Sequence, residues 1–354
     1  MDSFKQNIEG VRQLIESGIN KGRRGDFTEE GVSGDFEDVF TLKMTDEELL
    51  DLKRQWENKS APYTEKIKSK QITNKHYYLG TQRQNVTATE SMTVSSNIIF
   101  EAEETFIPQA LSKNPEPVVW SDNTDEGKNA SNEIKTMLQF HSDILCLRKK
   151  LGVMLRHWSI YYLGIVKHGW DTKSNDISTE IRKPKNFILD PDGYIDEYGN
   201  YVGNFLGEKI ECTAERLITL FPKQRNYILI KSDGKLGTQL TRTEWWTDEY
   251  CFTTLGDIVL DKHRNEYFNY DKEETQTDEY GIETPNTVKG NNHFATPKMP
   301  YTFLSIFSLQ EQPHDVTNLI EQNIANQNRI NDRDEQIDKN LRHGNNSIAV
   351  SGKS

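Results

Sequence analysis

Residues 314–343 impose the hardest constraint on what this chain can fold into. Asp315 is placed to N-cap a helix, Arg342 and His343 fall in its last turn, and Gly344 supplies a stop. About 29 residues at about 1.5 Å each make a rod of roughly 43 Å, longer than most globular helices. Val316, Leu319, Ile320, Ile324, Ile330, Ile337 and Leu341 share one broad sector, interrupted by Asn323, Gln327, Asn331 and Asp334. The opposite side carries Asn318, Gln322, Arg329, Asp332, Gln336 and Lys339. The i,i+4 pairs Glu335–Lys339 and Asp338–Arg342 add only about 0.2–0.5 kcal/mol each. Such a helix buries too little to hold itself. It must stand beside equivalent helices of other subunits or bridge two domains.

Composition points the same way. Of 354 residues, 34% are hydrophobic and 28% charged, with a mean hydropathy of −0.78. That suits exposed helices and surface reserved for neighbours. A net charge of −12 disfavours gripping nucleic acid over the whole surface, because phosphate neutralisation needs a basic protein. Three scattered cysteines (Cys146, Cys212 and Cys251) with no CxxC exclude a zinc ribbon or disulfide framework and predict a reducing compartment. Met1–Ile8 has no apolar leader core and no run of about 18 apolar residues occurs, so neither a secreted precursor nor a membrane protein is expected.

Along the chain, residues 1–21 read as a short amphipathic helix with Phe4, Ile8, Val11, Leu14 and Ile15 on one face. Residues 26–57 hold eleven acids against Lys43, Lys53 and Arg54. Thr45 and Glu48 form a capping box, which predicts a helix to about Asn58, and Pro62 opens a second one bearing Lys66, Lys68, Lys70 and Lys75. Those lysines read as a solvated face or as a phosphate or partner patch. Helical spacing recurs over 91–112 and from Asp125 to Leu163, the latter being the candidate core. After Gly164 the period changes: 165–171, 177–189, 201–211 and 238–260 read as strands, with a turn at Leu255-Gly256-Asp257. Thr213–Phe221 reads as a short helix closed by Pro222, and 261–299 as a long polar loop. The predicted class is α+β, helices first and sheet second.

No reaction chemistry stands out. Asp190-Pro191-Asp192-Gly193 looks like a calcium loop, but aligning Gly193 with the turn glycine leaves Ile188 and Gly199 at ligand positions, so an Asp-rich turn is expected. HExxH, GxSxG, GxxxxGK[ST] and GxGxxG are all absent, which excludes the usual zinc, hydrolase, nucleotide-motor and dinucleotide signatures. His157 and His168 read as packing or surface residues. Trp245-Trp246 could stack bases, but neighbours in a strand face opposite sides, which predicts one in the core and one exposed. No catalytic residue, metal or cofactor is assigned, and no enzyme is expected.

The order of features over roughly residues 90–354 resembles the portal proteins of tailed bacteriophages, specifically the podovirus-like portals. Helices lead into Leu163-Gly164-Ile165-Val166-Lys167-His168-Gly169-Trp170-Asp171. Next comes Lys183-Pro184-Lys185-Asn186-Phe187-Ile188-Leu189-Asp190-Pro191, similar to a Pro-x-x-hydrophobic-x-x-Asp-Pro stretch. Glu208 to Pro222 and Glu244-Trp245-Trp246 resemble the segments after it. Asn292-His293-Phe294, Pro297 and Met299-Pro300-Tyr301 resemble the lead-in to a stem helix, with Phe294 standing where the family has glycine.

The resemblance implies a homo-oligomeric ring, usually a dodecamer, at one capsid vertex of the virion, assembled in the host cytoplasm. Residues 1–60 would be an acidic N-terminal arm and 61–312 a wing, comprising helices over 62–163, a β-rich part over 164–260 and the loop 261–299. Residues 313–343 would be a stem helix and 344–354 the start of a clip, with a strand at 347–351. Implied partners are the terminase large subunit, the major capsid protein, the head–tail connector and double-stranded DNA in transit, with no membrane. Family members return through a second stem helix and often add a crown. None of that lies within residues 1–354, which implies a fragment of a longer portal or a departure from the family.

A translocation channel must centre a polyanion without trapping it, and a wall of Asn, Gln, Asp and occasional Arg does that better than a lysine wall. Arg329, Asp332, Gln336 and Lys339 are therefore the expected channel-lining residues. Ile320, Ile324, Ile330, Ile337 and Leu341 are expected to pack between subunits. The alternatives are a head–tail adaptor or other structural virion protein, and a soluble enzyme with its site in the 165–260 sheet.

Overall fold

The computed structural model describes residues 42–83, 96–112, 118–121, 124–171, 175–265, 267, 272–277, 283–288 and 297–345. The chain divides into two compact units, Met1–Lys43 and Met44–Ser354. The predicted helix at 1–21 and the strand at 347–351 lie outside the described residues. The arm expected over 1–60 does not extend that far as a separate unit, because Leu49 is already fully buried.

Helix α1 spans Asp46–Leu79 without a break. Its start is the expected capping box: Thr45 Oγ1 accepts from the Glu48 N–H at 3.3 Å, and Glu48 Oε2 accepts from the Thr45 N–H at 2.8 Å. The expected stop near Asn58 does not occur, and Pro62 sits inside the helix. A proline there costs about 3 kcal/mol, which packing on both sides offsets. Before it, Trp56 stacks on Phe205 at 5.0 Å; after it, Ile67 and Gln71 are buried. Gly80, at φ 68, ends α1 by returning its N–H to the last turn. Lys66, Lys68 and Lys75 are solvated, whereas Lys70 pairs with Glu321 at 3.0 Å.

Helix α2 covers Ile98–Ala110, capped by Asn97. The helical block expected from Asp125 to Leu163 is two helices, α3 (Asp125–Ile144) and α4 (Leu147–Tyr161), parted at Cys146 with φ 51. Only α4 belongs to the core, through Met154, Trp158 and Ile160. No residue of α3 is buried, which corrects the reading of the whole block as core. Periodicity identifies an apolar stripe but does not reveal whether anything covers it.

The strands are antiparallel throughout, giving an α+β fold. Strands β1 (Gly164–Asp171) and β2 (Asp176–Arg182) form a three-stranded sheet with the later β12 (Tyr301–Leu304), in the order β12-β1-β2. Strand β3 (Phe187–Leu189) edges a five-stranded sheet completed by β6 (Leu206–Thr213), β7 (Gln239–Trp246), β8 (Tyr250–Leu255) and β9 (Ile258–Arg264). The expected turn joins β8 to β9, with Gly256 at φ 62. Strands β4 (Tyr194–Ile195) and β5 (Tyr201–Val202) form a small hairpin.

Three further expectations are corrected. The stretch 261–299 is not all loop, because β10 (Lys272–Thr277) pairs with β11 (Glu283–Val288); its acidic composition concealed a Thr-rich alternation. Helix α5 (Ala214–Leu220) ends before Pro222 as expected, but the chain then turns into an unexpected α6 (Arg225–Lys231). Trp245 and Trp246 are both buried, because both faces of the five-stranded sheet are covered. Trp245 lies against Trp56 of α1 and Phe252, and Trp246 joins Tyr301 and Phe303 in the core beside the three-stranded sheet.

Candidate functional site

The polar rod predicted at 314–343 is helix α7, Leu319–Asn345. Asn318 caps it, accepting the Glu321 N–H on Oδ1 at 2.7 Å. Asp315, the expected cap, does something else. Its buried carboxylate accepts from Trp158 Nε1 at 2.7 Å, the Ile306 N–H at 3.0 Å and the Phe307 N–H at 2.8 Å, and the Ser305 hydroxyl also donates to it. It ties the segment between β12 and α7 to α4. Beside it, His314 is buried with Nδ1 at 2.9 Å from the Tyr63 hydroxyl. Burial depresses this imidazole to about 4, so it is neutral near pH 7.

The first half of α7 is held by polar as well as apolar contacts. Ile320 packs with Ile99 and Ile160. Gln327 is fully buried, donating to the Ser96 carbonyl at 2.7 Å and to Asn331 Oδ1 at 2.9 Å while accepting the Ile98 N–H at 3.0 Å. Tyr77 donates to Asn328, and Tyr162 and Lys70 both bond Glu321. Gln327 and Asn331, taken from the sequence as interruptions of the stripe, are interior residues. Each supplies a hydrogen bond that a leucine could not.

The second half is tied to the body by Arg83, which pairs with Asp332 and Glu335, and only its last turns are open to solvent on every side. From Gln336 to Gly344 every residue is exposed. The expected channel-lining residues Arg329, Asp332, Gln336 and Lys339 all lie on exposed surface. Asp332 is bridged by Arg83 at 2.5 Å, and Lys339 pairs with Glu335 at 2.7 Å. The expected inter-subunit residues divide. Ile320 has no exposed surface, so it is core of its own chain rather than a contact for a neighbour, which corrects that assignment. Ile324 and Ile330 are half-buried, and Ile337 and Leu341 are 55% and 59% exposed. At about 100° per residue, α7 thus presents three sectors. One faces its own body (Ile320, Gln327, Asn331), one is apolar, half-buried at Ile330 and open at Ile337 and Leu341, and one is polar and open (Arg329, Asp332, Gln336, Lys339).

Elsewhere, buried charge is concentrated between the two larger sheets. Lys167 Nζ lies 2.5 Å from Glu244 and 3.4 Å from Glu208, Arg182 lies 2.5 Å from Glu208, and the Tyr301 hydroxyl donates to Glu208 at 2.8 Å. Burial opposes ionisation of Glu244, but Lys167 beside it and the Trp246 N–H hold its carboxyl below the usual range. Both glutamates are committed to fixed cations, an arrangement that fastens sheets together and leaves no poised acid or base. Sequence reasoning missed this cluster, since its members are scattered over five strands.

The Asp190 turn is a structural one. Lys59 lies 2.6 Å from Asp190 and 2.7 Å from Asp192, occupying the oxygens a cation would need. Among the described residues, no group of three or more His, Cys, Asp or Glu side chains is arranged to hold a metal ion. His157 and His168 are both pushed down by burial, and His168 bonds Thr302 at 3.1 Å. An open cavity of about 510 Å³ lies between the β4–β5 hairpin and the segment after β12, walled by Asp196, Tyr198, Phe303 and Leu309. Asp196 is already engaged there by Asn200 and by the Tyr198 N–H. Among the described residues, no helix is long and apolar enough to cross a membrane. A scan of protein-family models finds no match to this chain, and a search of curated proteins finds none.

Proposed function

We propose that this chain is a phage portal-type protein: a ring-forming subunit whose α7 lines a channel for double-stranded DNA at a capsid vertex. In this reading the terminase motor and later the head–tail connector dock at the far end of α7, and the chain carries out no reaction of its own. The observation that carries the proposal is the division of α7. Its first half is locked into the body by Ile320, Gln327 and Asn331, while its last turns, beyond the Arg83 bridges to Asp332 and Glu335, are exposed with separate apolar and polar faces. An apolar face left open by the described residues is available to a partner, and a ring of equal copies supplies one to every subunit. The open polar face has one acid, one amide and two cations, of which Lys339 is already paired with Glu335, so it interacts weakly with phosphate and lets a duplex slide.

Two measurements test the proposal. Light scattering and electron microscopy of purified protein should give a particle of about 0.5 MDa, twelve copies of the 41.0 kDa chain, with a central hole. Asp332→Cys and Gln336→Cys should cross-link to DNA passing through the assembled particle, whereas Ile320→Cys and Ile324→Cys should not. A monomeric species at every concentration, or the reverse cross-linking pattern, overturns the reading.

A further inference from the structure

Among the described residues, the apolar stripes of α3 and of the end of α7 are largely uncovered, and they match. Helix α3 has no buried residue, leaving Ile134, Leu138, Phe140 and Ile144 exposed; of these Ile134 and Leu138 fall in line with Leu145, half-buried just past its end. The matching stripe of α7 is Leu341 and Ile337, both exposed, and the half-buried Ile330. Read forward on α3 the intervals are four and seven residues, and read backward on α7 they are again four and seven. Each triplet spans only about 40° of helical arc. An antiparallel pairing therefore sets Ile134 on Leu341, Leu138 on Ile337 and Leu145 on Ile330 at once.

The charges beside the stripes select the same direction. When two helices run antiparallel, flanks of the same hand meet. Lys135 and Asp338 lie on one hand of their respective stripes, and Glu133 and His343 on the other. The register that joins the apolar triplets thus places Lys135 beside Asp338 and Glu133 beside His343. A parallel pairing would instead turn Glu133 toward the Asp338 flank and Lys135 toward the flank of Arg329 and Arg333. An antiparallel pair of α3 helices would set Lys135 against its own copy.

Resting on the ring reading above, we infer that α3 of one copy packs antiparallel on the apolar stripe along the second half of α7 in the next copy, and that this contact closes the ring. The two surfaces differ, so the contact can run head to tail from copy to copy and close around an axis, whereas the reciprocal arrangement of the same two helices would stop at a dimer, which sizing of the cross-linked particle distinguishes. It also explains why an amphipathic helix with no buried side chain is present in each subunit.

The test uses full-length chains. A chain carrying Leu138→Cys is mixed with one carrying Ile337→Cys, assembled and mildly oxidised, and the linked peptides are identified by mass spectrometry. A disulfide joining positions 138 and 337 of different copies is expected. Lys135→Glu alone and Asp338→Lys alone should each raise the concentration needed for assembly about tenfold, and the two together should restore it. All four positions are at the surface of the isolated chain or half-covered, so circular dichroism of the variants should match that of the wild type. Links between two copies of position 138, or rings indifferent to both charge reversals, overturn this contact and leave the ring reading standing. A wild-type chain that never assembles removes the ring reading, and this contact with it.

Discussion

The indole N–H of Trp158 donates to Asp315 at 2.7 Å across 157 residues of sequence, and that bond seats α7 on the body of the protein. The same carboxylate accepts from Ile306 and Phe307, so its removal strands several buried donors together. Asp315→Ala should cost about 4 kcal/mol in urea unfolding. Trp158→Phe, which removes the donor and part of the buried indole, should cost about 2–3 kcal/mol, the lost bond and the cavity together. Equal costs for the two would show that Asp315 has no role beyond Trp158.

His314 makes stability depend on pH below neutrality. Its folded value near 4 lies under the ordinary 6.5, so the unfolded chain binds the proton more readily. Stability from this residue is therefore complete above about pH 6.5 and is lost progressively as pH falls toward about 4, at up to about 1.4 kcal/mol per pH unit. Urea midpoints measured at pH 7, 5.5 and 4.5 should fall more steeply for the wild type than for His314→Gln.

Gln327 offers a test of whether polar burial holds α7 in place. Gln327→Leu fills the same space but leaves the Ser96 carbonyl and the Ile98 N–H unpaired, at a cost of about 2–3 kcal/mol. Hydrogen exchange should quicken in Leu319–Asn331 while the five-stranded sheet stays protected. Unchanged exchange along α7 would place the hold in Ile320 and its neighbours alone.

Pro62 interrupts the hydrogen-bond ladder of α1 without ending the helix. Pro62→Ala should therefore stabilise the protein by about 2 kcal/mol, the helical gain exceeding the added freedom of the unfolded chain. A lower melting temperature for the variant would mean that α1 needs the bend a proline imposes.

What the sequence disclosed was whatever is decided by near neighbours in the chain. Thr45 and Glu48 lie three residues apart and announce the start of α1; the alternation after Gly164 and the turn at Gly256 announce strands. What it withheld depended on distant partners. Asp315 looked like a cap because the rule sees only the next turn, whereas its donors come from α4 and the segment after β12. Gln327 looked like a flaw in a stripe because its partners, Ser96 and Ile98, lie 231 and 229 residues away. Trp245 and Trp246 looked like opposites until α1 covered one face of their sheet and the core of the three-stranded sheet the other. For the candidate site, the polar face of α7 was legible from periodicity, but the burial of Ile320 was not.

The half-held state of α7 has a mechanical consequence. A beam clamped at one end and loaded at the other develops its greatest bending moment at the clamp, which here begins at the Arg83 bridges to Asp332 and Glu335 and continues into the Gln327–Asn331 stretch. A push on Ile337 or Leu341 bears first on those contacts, well inside the span between tip and the Asn318 cap. The tip can therefore report strain to the body without any hinge, through the stiffness of one cantilever and its mount.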